Sequence, residues 1–201
     1  MGGRIIELEN KILEIFNFKK NGYFVDIGAY DGVSISNTKF LEDLGWDGMC
    51  IEPHPNVFKL LTSNRNCTCI NCAIWNENKK VNFLSLSGYT EMLSGIVESY
   101  DMRHYGRIQS ELNNFGGSSE ILEVDAKKFE DVVSKTEIDF LSIDTEGSEL
   151  QILEQIDFNK YVIKVICVEN NFHESKFNDF FTSKGYKLYG SINIDYLYVK
   201  I

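Results

Sequence analysis

Apolar and polar residues follow two different periods along this chain, and the two periods alternate. Residues 5–16 place apolar side chains at helical spacing among charged ones. Short apolar runs bounded by glycine, proline or asparagine predict buried strands, at residues 23–29, 48–52, 68–75, 81–87, 121–125, 138–145 and 162–170. Helical periods lie between many of these runs, at residues 36–44, 57–63, 127–134, 147–155 and 174–184.

This alternation predicts the fold class. Strands separated by helices favour a mostly parallel sheet with helices on both faces. Residues 186–193 and 196–201 predict a closing hairpin, so one edge of the sheet would be antiparallel. We therefore predict an α/β fold with a single Rossmann-like, doubly wound sheet and an antiparallel C-terminal edge hairpin. No internal repeat or low-complexity linker divides the chain, so we expect one domain over residues 1–201, opening with a helix within residues 1–20.

Residues 88–119 show no clear period. The segment holds Gly95, Gly106, Gly116 and Gly117 and a mixed pattern of charges. Long segments without periodicity are either functional lids or poorly ordered. We expect an irregular insertion here, and both interpretations stay open.

Composition and charge narrow the range of partners. The chain has 201 residues, 43% of them hydrophobic and 25% charged, which suits one globular domain with a sizeable core. Its net charge of −10 argues against nucleic acid, because phosphate neutralisation needs a basic face. No apolar run reaches the roughly 18 residues of a membrane span. We expect neither a nucleic-acid partner nor a membrane span.

The five cysteines bear on the compartment of the protein. An odd number in a domain of this size favours reduced thiols and a cytoplasmic location. Cys67, Cys69 and Cys72 are clustered, but zinc sites usually take a second Cys or His pair, and none follows. We therefore expect the cysteines to be core residues. The N-terminus also lacks the apolar core of a signal peptide, and a module of a larger protein stays an open alternative.

A glycine-containing turn follows the first predicted strand. Gly28 and Gly32 permit positive φ and a close approach of a ligand to the backbone. In open α/β sheets, ligands lie outside the carboxyl ends of the strands, where this turn falls. Glu52 ends the next strand, where an acid can accept hydrogen bonds from ribose hydroxyls. Residues 71–73 lie in the third predicted strand, where a polar group could contact adenine. The alternative is that Asp26 and Glu52 are ordinary strand-end acids.

Carboxylates are concentrated after a later strand. Asp144, Glu146 and Glu149 lie within six residues, where a helix begins. Acids in a first helical turn stabilise the helix dipole, and we assign that role to Glu149. Asp144 and Glu146 are candidates for catalysis. The neighbouring strand ends in residues 169–170, and His173 follows.

Two kinds of chemistry fit these residues. Asp144, Glu169 and Asn170 would arrive on adjacent strand ends as three oxygen ligands, a set that suits Mg²⁺. The competing interpretation is metal-free, with Asp144 or His173 as a general base. His173 is equally well explained as a surface residue. The sequence leaves these alternatives open.

The order of the motifs VDIGAYDG, SNT, IEP and D-x-E-G-x-E resembles the FkbM-type methyltransferases, a branch of the class I S-adenosylmethionine-dependent enzymes. The resemblance covers roughly residues 22–201, including LSIDTEGSELQIL and the closing DYLYVKI. It implies an O-methyltransferase with S-adenosylmethionine as cofactor and a sugar or glycan hydroxyl as acceptor. Residues 88–119 would then be a possible lid over the acceptor, and any larger protein would be a glycan-processing one. The metal alternative resembles catechol-type O-methyltransferases.

The resemblance also implies roles for individual positions. The turn along the methionine part of the cofactor would comprise Asp26, Gly28, Ala29, Tyr30, Asp31 and Gly32. Glu52 and Pro53 would hold the ribose, and Asn71, Cys72 and Ala73 would border the adenine. Family members commonly carry Asn where this chain has Tyr30, which leaves the contact of Tyr30 open. The candidate catalytic residues are Asp144, Glu146 and His173.

Two other functions compete with this one. A nicotinamide-dependent oxidoreductase has a related fold, but the spacing here is G-x-x-x-G and lacks the middle glycine of G-x-G-x-x-G. An obvious Tyr-x-x-x-Lys pair is also missing. The other alternative is a non-catalytic nucleotide-binding module, against which Asp144 and Glu146 argue.

Overall fold

A seven-stranded sheet runs through the protein, as seen in a computed structural model that describes residues 2–201 and the side chains from residue 6 onward. The described strands are β1 (Tyr23–Ile27), β2 (Asp47–Ile51), β3 (Thr68–Ile70), β4 (Ala73–Ile74), β5 (Lys79–Leu86), β6 (Gly95–Ile96), β7 (Ser119–Lys127), β8 (Glu137–Ile143), β9 (Val162–Glu169), β10 (Tyr186–Ile192) and β11 (Asp195–Lys200). The seven-stranded sheet has the order β10-β11-β9-β8-β1-β2-β3, parallel except for the pairs of β11. The predicted α/β class and terminal hairpin are confirmed.

Helices cover both faces of this sheet. They are α1 (Gly2–Ile15), α2 (Lys39–Asp43), α3 (Pro55–Asn64), α4 (Met102–Phe115), α5 (Phe129–Val132), α6 (Glu149–Gln155) and α7 (Lys176–Ser183). Alternate residues of β1 point to opposite faces. Phe24 packs in a core with residues of α1, α2 and α3, whereas Val25 packs in a core with residues of α5, α6 and α7. Burial on both faces explains the nearly continuous apolar run of β1.

The strand order reverses between β1 and β8. The chain adds β2 and β3 on one side of β1, and β8 and β9 on the other. Such a switch point opens a crevice at the carboxyl ends of the strands. Gly28 follows β1 and Asp144 follows β8, and the Asp144 N–H donates to the Ile27 carbonyl at 3.0 Å. The topology therefore brings the glycine turn and the catalytic candidates together.

The prediction of one sheet was wrong, because β4, β7, β5 and β6 form a second sheet of four strands. Buried and exposed residues alternate along much of β5 and β7. A strand with one polar face suits a sheet that is open to solvent and not one covered on both sides. The run predicted as one strand over residues 68–75 divides between the two sheets. Asn71 marks the division and donates its amide to the carbonyls of Glu52 and Pro53, at 2.7 and 3.1 Å.

The expectation of an irregular segment over residues 88–119 was also wrong. Two 3₁₀ turns, Gly88–Leu93 and Val97–Ser99, precede the 14-residue helix α4. The Asp101 carboxylate caps α4 by accepting from two backbone N–H groups, and Gly116 ends it in a left-handed conformation. Apolar residues recur at helical spacing along this helix, namely Met102, Tyr105, Ile108, Leu112 and Phe115. This period and the two capping residues were the signals that could have revealed the helix.

The structure bears on two expectations from the sequence, one about the cysteines and one about membrane spans. Cys50, Cys72 and Cys167 are buried, and Cys67 and Cys69 are half-buried. All five pack in the two cores of the main sheet, and among the described residues none belongs to a cluster of potential metal ligands. In the described part of the chain, no helix has both the length and the apolar character to cross a bilayer.

Arg65 is a fully buried cation that fixes the glycine turn. Its guanidinium donates to the Glu42 carboxylate at 2.5 Å, to the Gly32 carbonyl at 3.2 Å and to the Thr38 hydroxyl at 3.1 Å. Thr38 in turn donates to the Asp26 carboxylate at 2.6 Å. A lysine has no planar fork and cannot satisfy all these acceptors at once.

We therefore expect Arg65→Lys to lower the free energy of unfolding by about 2 kcal/mol, since buried acceptors lose their donors. Urea unfolding followed by circular dichroism measures this change. The matched control is Lys59→Arg, at an exposed position of the same helix α3, which should change little. Equal midpoints for Arg65→Lys and the control would contradict the assigned role of Arg65.

Candidate functional site

A cavity of about 450 Å³ lies at the carboxyl ends of β1, β2, β8 and β9. The sequence-predicted site residues that line it are Asp26, Gly28, Ala29, Tyr30, Glu52, Pro53, Cys72, Ala73, Asp144, Glu146 and Glu169. The sequence-predicted residues that do not line it are Asp31, Gly32, Asn71, Asn170 and His173. The cavity thus joins the two halves of the predicted site, the turn with its strand-end acid and the later carboxylates.

The turn after β1 requires glycine at two positions. Gly28 has a φ of 85°, and a Cβ there would lie 1.7 Å from the Asp144 carbonyl oxygen. Gly32 has a φ of 80°, and a Cβ there would lie 2.6 Å from the Arg65 side chain. Asp31 accepts from two backbone N–H groups farther along the turn, at 2.9 and 2.7 Å. Asp31 and Gly32 therefore fix the shape of the turn after β1 but do not line the cavity.

Glu52 presents a buried carboxylate to the cavity. Its side chain is held by the Tyr30 N–H at 3.0 Å and the His54 N–H at 2.8 Å, one on each oxygen. Burial raises the pKa of Glu52 to about 7, and the negative charge of Asp26 adds to this. Each carboxylate oxygen keeps a second lone pair, so Glu52 can accept two further hydrogen bonds. A ribose diol offers two such donors.

The third strand end contributes less than the sequence suggested. Cys72 and Ala73 line the cavity, whereas Asn71 is exposed and bonds to the turn after β2. His54 was missed and also lines the cavity. Its Nδ1 accepts from two backbone N–H groups of α3, so its Nε2 carries the proton and donates to the Ser85 hydroxyl at 2.9 Å.

Three carboxylates meet at the other end of the cavity. One oxygen each of Asp144, Glu146 and Glu169 lies within 4.8 Å of the others. Glu146 is 7% exposed and Glu169 5%. Burial, together with the negative charge of Asp144, raises the pKa of Glu146 to about 8, and the same two causes raise that of Glu169 well above its ordinary value. Glu146 is therefore mostly protonated at neutral pH and becomes available as a base as the pH rises through about 8.

Arg107 and Asn171 hold this cluster, and sequence reasoning missed both. Arg107 donates to the Glu146 carboxylate at 3.3 Å and to the side-chain amide oxygen of Asn171 at 3.0 Å. Asn171 donates its amide to Glu146 at 3.2 Å and to Glu169 at 2.6 Å. Arg107 is the one Lys or Arg among the described residues that line the cavity. It also pairs with Glu111, one helical turn farther along α4, and such an i,i+4 pair is visible in a sequence only once the helix is known.

The predicted metal-ligand set is not assembled. Asn170 is buried, but its side chain accepts from the Glu174 N–H at 2.9 Å and donates to the Glu174 carbonyl at 3.1 Å. It stabilises the turn after β9 and does not line the cavity. Asp144 and Glu169 meet Glu146 instead. An all-carboxylate cluster could bind a hard cation, but Arg107 already supplies a positive charge there.

His173 lies outside the residues that line the cavity. It is exposed, and its Nδ1 shares a hydrogen bond of 2.9 Å with the Tyr196 hydroxyl. The Glu149 carboxylate accepts from the N–H groups of Thr145 and Gly147, each at 2.9 Å. These bonds lie at the start of α6, where the sequence assigned Glu149 a role in stabilising the helix. Of the later candidates, the structure therefore brings Asp144, Glu146 and Glu169 to the cavity.

The segment over residues 88–119 covers one side of the cavity. The Tyr30 hydroxyl donates to the Glu91 carboxylate, which connects the glycine turn to the 3₁₀ turn Gly88–Leu93. Tyr89, Glu91 and Arg107 are among the residues of this segment that line the cavity. Other aromatic and basic side chains of the segment do not line the cavity, namely Tyr100, Arg103, His104 and Tyr105.

A family model matches this chain, and several solved structures are similar to it. A family model described as the methyltransferase FkbM domain matches residues 26–188. Among solved structures, a TehB-like SAM-dependent methyltransferase from Corynebacterium glutamicum is 10% identical with a TM-score of 0.49, over 96% of this chain and 88% of that one. TrmK from M. capricolum, in complex with S-adenosyl-homocysteine, is 11% identical with a TM-score of 0.49, over 96% and 66%. A precorrin-6y C5,15-methyltransferase from Geobacter metallireducens is 13% identical with a TM-score of 0.45, over 96% and 86%. No curated protein sequence matches the chain.

Proposed function

The chain belongs to the FkbM methyltransferase family, and we propose that it transfers the methyl group of S-adenosylmethionine to a hydroxyl oxygen of a sugar or glycan. The observation that carries the proposal is that one cavity joins a glycine cradle and the buried Glu52 to the carboxylates of Asp144, Glu146 and Glu169. The cofactor, when bound, supplies an electrophilic methyl group on a sulfonium.

The residues at one end of the cavity fit the cofactor. Gly28 lines the cavity, and its lack of a side chain lets the turn pack directly against the Asp144 carbonyl, where any Cβ would collide. Glu52 can accept hydrogen bonds from both ribose hydroxyls while the two backbone N–H groups keep its carboxylate in place. Cys72 and Ala73 offer small, mostly apolar surfaces suited to the flat face of adenine.

We assign the role of general base to Glu146. A neutral hydroxyl is a poor nucleophile and has to lose its proton as the new carbon–oxygen bond forms. Glu146 is buried in the cavity, and its pKa of about 8 makes its deprotonated carboxylate a stronger base than an ordinary glutamate. Arg107 and Asn171 orient its carboxylate.

The acidic cavity and the net charge of −10 favour a neutral, hydroxyl-bearing acceptor over a nucleic acid. The free thiols of the chain support a cytoplasmic location.

The proposal is tested with the purified chain, labelled S-adenosylmethionine and a panel of methyl glycosides and disaccharides. We expect a sugar product that is heavier by one CH₂ unit, with the new methyl carbon bonded to oxygen in its NMR spectrum. Binding of S-adenosylhomocysteine is measured in parallel with NAD. Binding of NAD in its place would favour the oxidoreductase alternative. Binding of S-adenosylhomocysteine without transfer to any sugar would overturn the proposed acceptor class.

We expect the reaction to need no metal. Arg107 and the Asn171 amide already donate to the clustered carboxylates, so the electrostatic role of a cation is filled. Methyl transfer should therefore continue in the presence of excess EDTA, with a rate within about twofold of that in added Mg²⁺. Loss of activity in EDTA that Mg²⁺ restores would instead assign a metal to Asp144, Glu146 and Glu169.

A further inference from the structure

The helix α4 carries a stripe of three residues that leads away from the carboxylate cluster. Arg107, Glu111 and Phe115 are spaced four residues apart and therefore lie along one side of the helix. Arg107 contacts Glu146 at one end, and both Arg107 and Glu111 line the cavity. With a rise of about 1.5 Å per residue, the stripe extends about 12 Å from Arg107 to Phe115.

An aromatic pair lies at the outer end of this stripe. The rings of Phe115 and Tyr89 have centroids 4.2 Å apart, and Tyr89 also lines the cavity. Both side chains are largely open to solvent, with exposures of 58% for Phe115 and 60% for Tyr89. Large aromatic side chains that stay exposed next to a cavity are typical of ligand-binding surfaces.

The backbone beneath the aromatic pair is fixed. The Ser87 N–H donates to the Ser118 carbonyl at 3.0 Å, the Ser118 N–H donates to the Ser87 hydroxyl at 2.9 Å, and the two hydroxyls lie 2.8 Å apart. Thr90 is buried and donates its hydroxyl to the Ser87 carbonyl at 3.1 Å. Gly117 packs so closely that a Cβ there would lie 2.5 Å from the same carbonyl. The backbone that carries the two rings is therefore held in place before any ligand arrives, which lowers the entropic cost of binding.

The surroundings of the pair favour a sugar ring as its occupant. A pyranose has a face of C–H groups that packs on an aromatic ring and hydroxyls at its rim that need acceptors. Glu91 and Glu111 supply carboxylate oxygens in the same cavity. Carboxylates there disfavour a phosphate or an anionic lipid surface.

We propose that Tyr89 and Phe115 form a second acceptor subsite, which stacks against a sugar ring one or two units away from the ring that is methylated at the carboxylates. The subsite rests on the proposed function, because it takes the acceptor to be a glycan. The stretch of about 12 Å between Arg107, which contacts Glu146, and Phe115 makes the preferred acceptor a disaccharide or a longer chain. A monosaccharide would reach the carboxylates without reaching the aromatic pair.

The test compares short and long probes on the full chain loaded with S-adenosylhomocysteine. The probes are matched pairs, methyl β-glucoside with cellobiose and methyl β-galactoside with lactose, and affinities come from ligand-observed NMR titration. In at least one pair we expect the disaccharide to bind about tenfold more tightly, as one aromatic stacking contact allows. Tyr89→Ala should remove this preference and Tyr89→Phe should keep it. Tyr189→Ala, at an exposed position of the edge strand β10, is the matched control.

With a disaccharide that the enzyme methylates as the acceptor, Tyr89→Ala should raise the KM of that acceptor about tenfold. It should leave kcat and the KM of the cofactor within about twofold. A general structural defect would lower kcat and the melting temperature as well. The subsite is overturned if no disaccharide binds better than its monosaccharide, or if the preference survives Tyr89→Ala. It is also overturned if catechol binds at Tyr89 and Phe115 and the sugars do not. Self-association of the chain that Tyr89→Ala abolishes would likewise overturn it.

The failure of the subsite and that of the proposed function can be told apart. Sugar methylation that is indifferent to acceptor length and to Tyr89 would leave the function standing and remove the subsite. A length preference that depends on Tyr89, without any methylated product, would leave the subsite and remove the function.

Discussion

Glu52→Gln is expected to weaken the binding of S-adenosylhomocysteine about a hundredfold. The carboxylate is buried and fixed by two backbone N–H groups, with lone pairs left for two ribose hydroxyls. A glutamine keeps the shape of the side chain but replaces one acceptor oxygen by a donor and removes the charge. Loss of a hydrogen bond to a charged group costs about 1.5–3 kcal/mol, which corresponds to this factor. Isothermal titration calorimetry measures the affinity directly.

The pH dependence of the same titration adds an independent check. The pKa of Glu52 lies near 7 in the folded chain, and the charged form is the better acceptor for the two hydroxyls. Affinity should therefore rise with pH up to about 7 and level off above it, by up to tenfold per pH unit on the acidic side. Glu52→Gln should lose this dependence. The control is Asp47→Asn, at the exposed start of the same strand, and a hundredfold loss there as well would contradict a specific role for Glu52.

Glu146→Gln is expected to lower kcat about a thousandfold and to leave cofactor affinity within about threefold, as removal of a general base does. Glutamine keeps an oxygen that can accept from Arg107 and Asn171, so the variant should fold. It cannot take up the proton of the acceptor hydroxyl. Initial rates of labelled methyl transfer give kcat, and Glu154→Gln, at an exposed position of α6, is the matched control.

The rate of the unmodified enzyme should depend on pH in a defined direction. Because burial and Asp144 raise the pKa of Glu146 to about 8, most of this side chain is protonated at neutral pH and inactive as a base. The rate should increase with pH through about 8 and then level off, whereas the residual rate of Glu146→Gln should be flat in that range. If Glu146→Gln keeps more than about a tenth of the activity, or the same pH profile, the base is another group, with Asp144 the first candidate.

Local patterns were sufficient for the class of the fold and for the cofactor end of the site. Gly28 and Gly32 were identified because a positive φ and a close backbone approach leave no alternative to glycine. Glu52 could be placed because parallel strands end at a common edge of the sheet, so an acid at the end of a buried strand faces the crevice. Residues 68–75 were misread because their apolar run continues through the change of sheet at Asn71.

The acceptor end of the site depends on contacts between distant segments. Arg107 reaches Glu146 across 39 positions of the chain and Asn171 across 64. The apolar period of α4 could reveal the helix but not these partners. Asn170 and Asn171 are adjacent and chemically identical, yet one side chain bonds to the Glu174 backbone and the other to the carboxylate cluster.

The sequence by itself determined the alternation of strands and helices, the glycine turn and the strand-end acids, since each depends on the periodicity or stereochemistry of a few neighbouring residues. Only the tertiary structure decided the second sheet, the position of α4 beside the cavity and the partners of the carboxylates. The physical reason is that packing between distant segments sets the direction of each side chain, and no local pattern in the sequence records that direction.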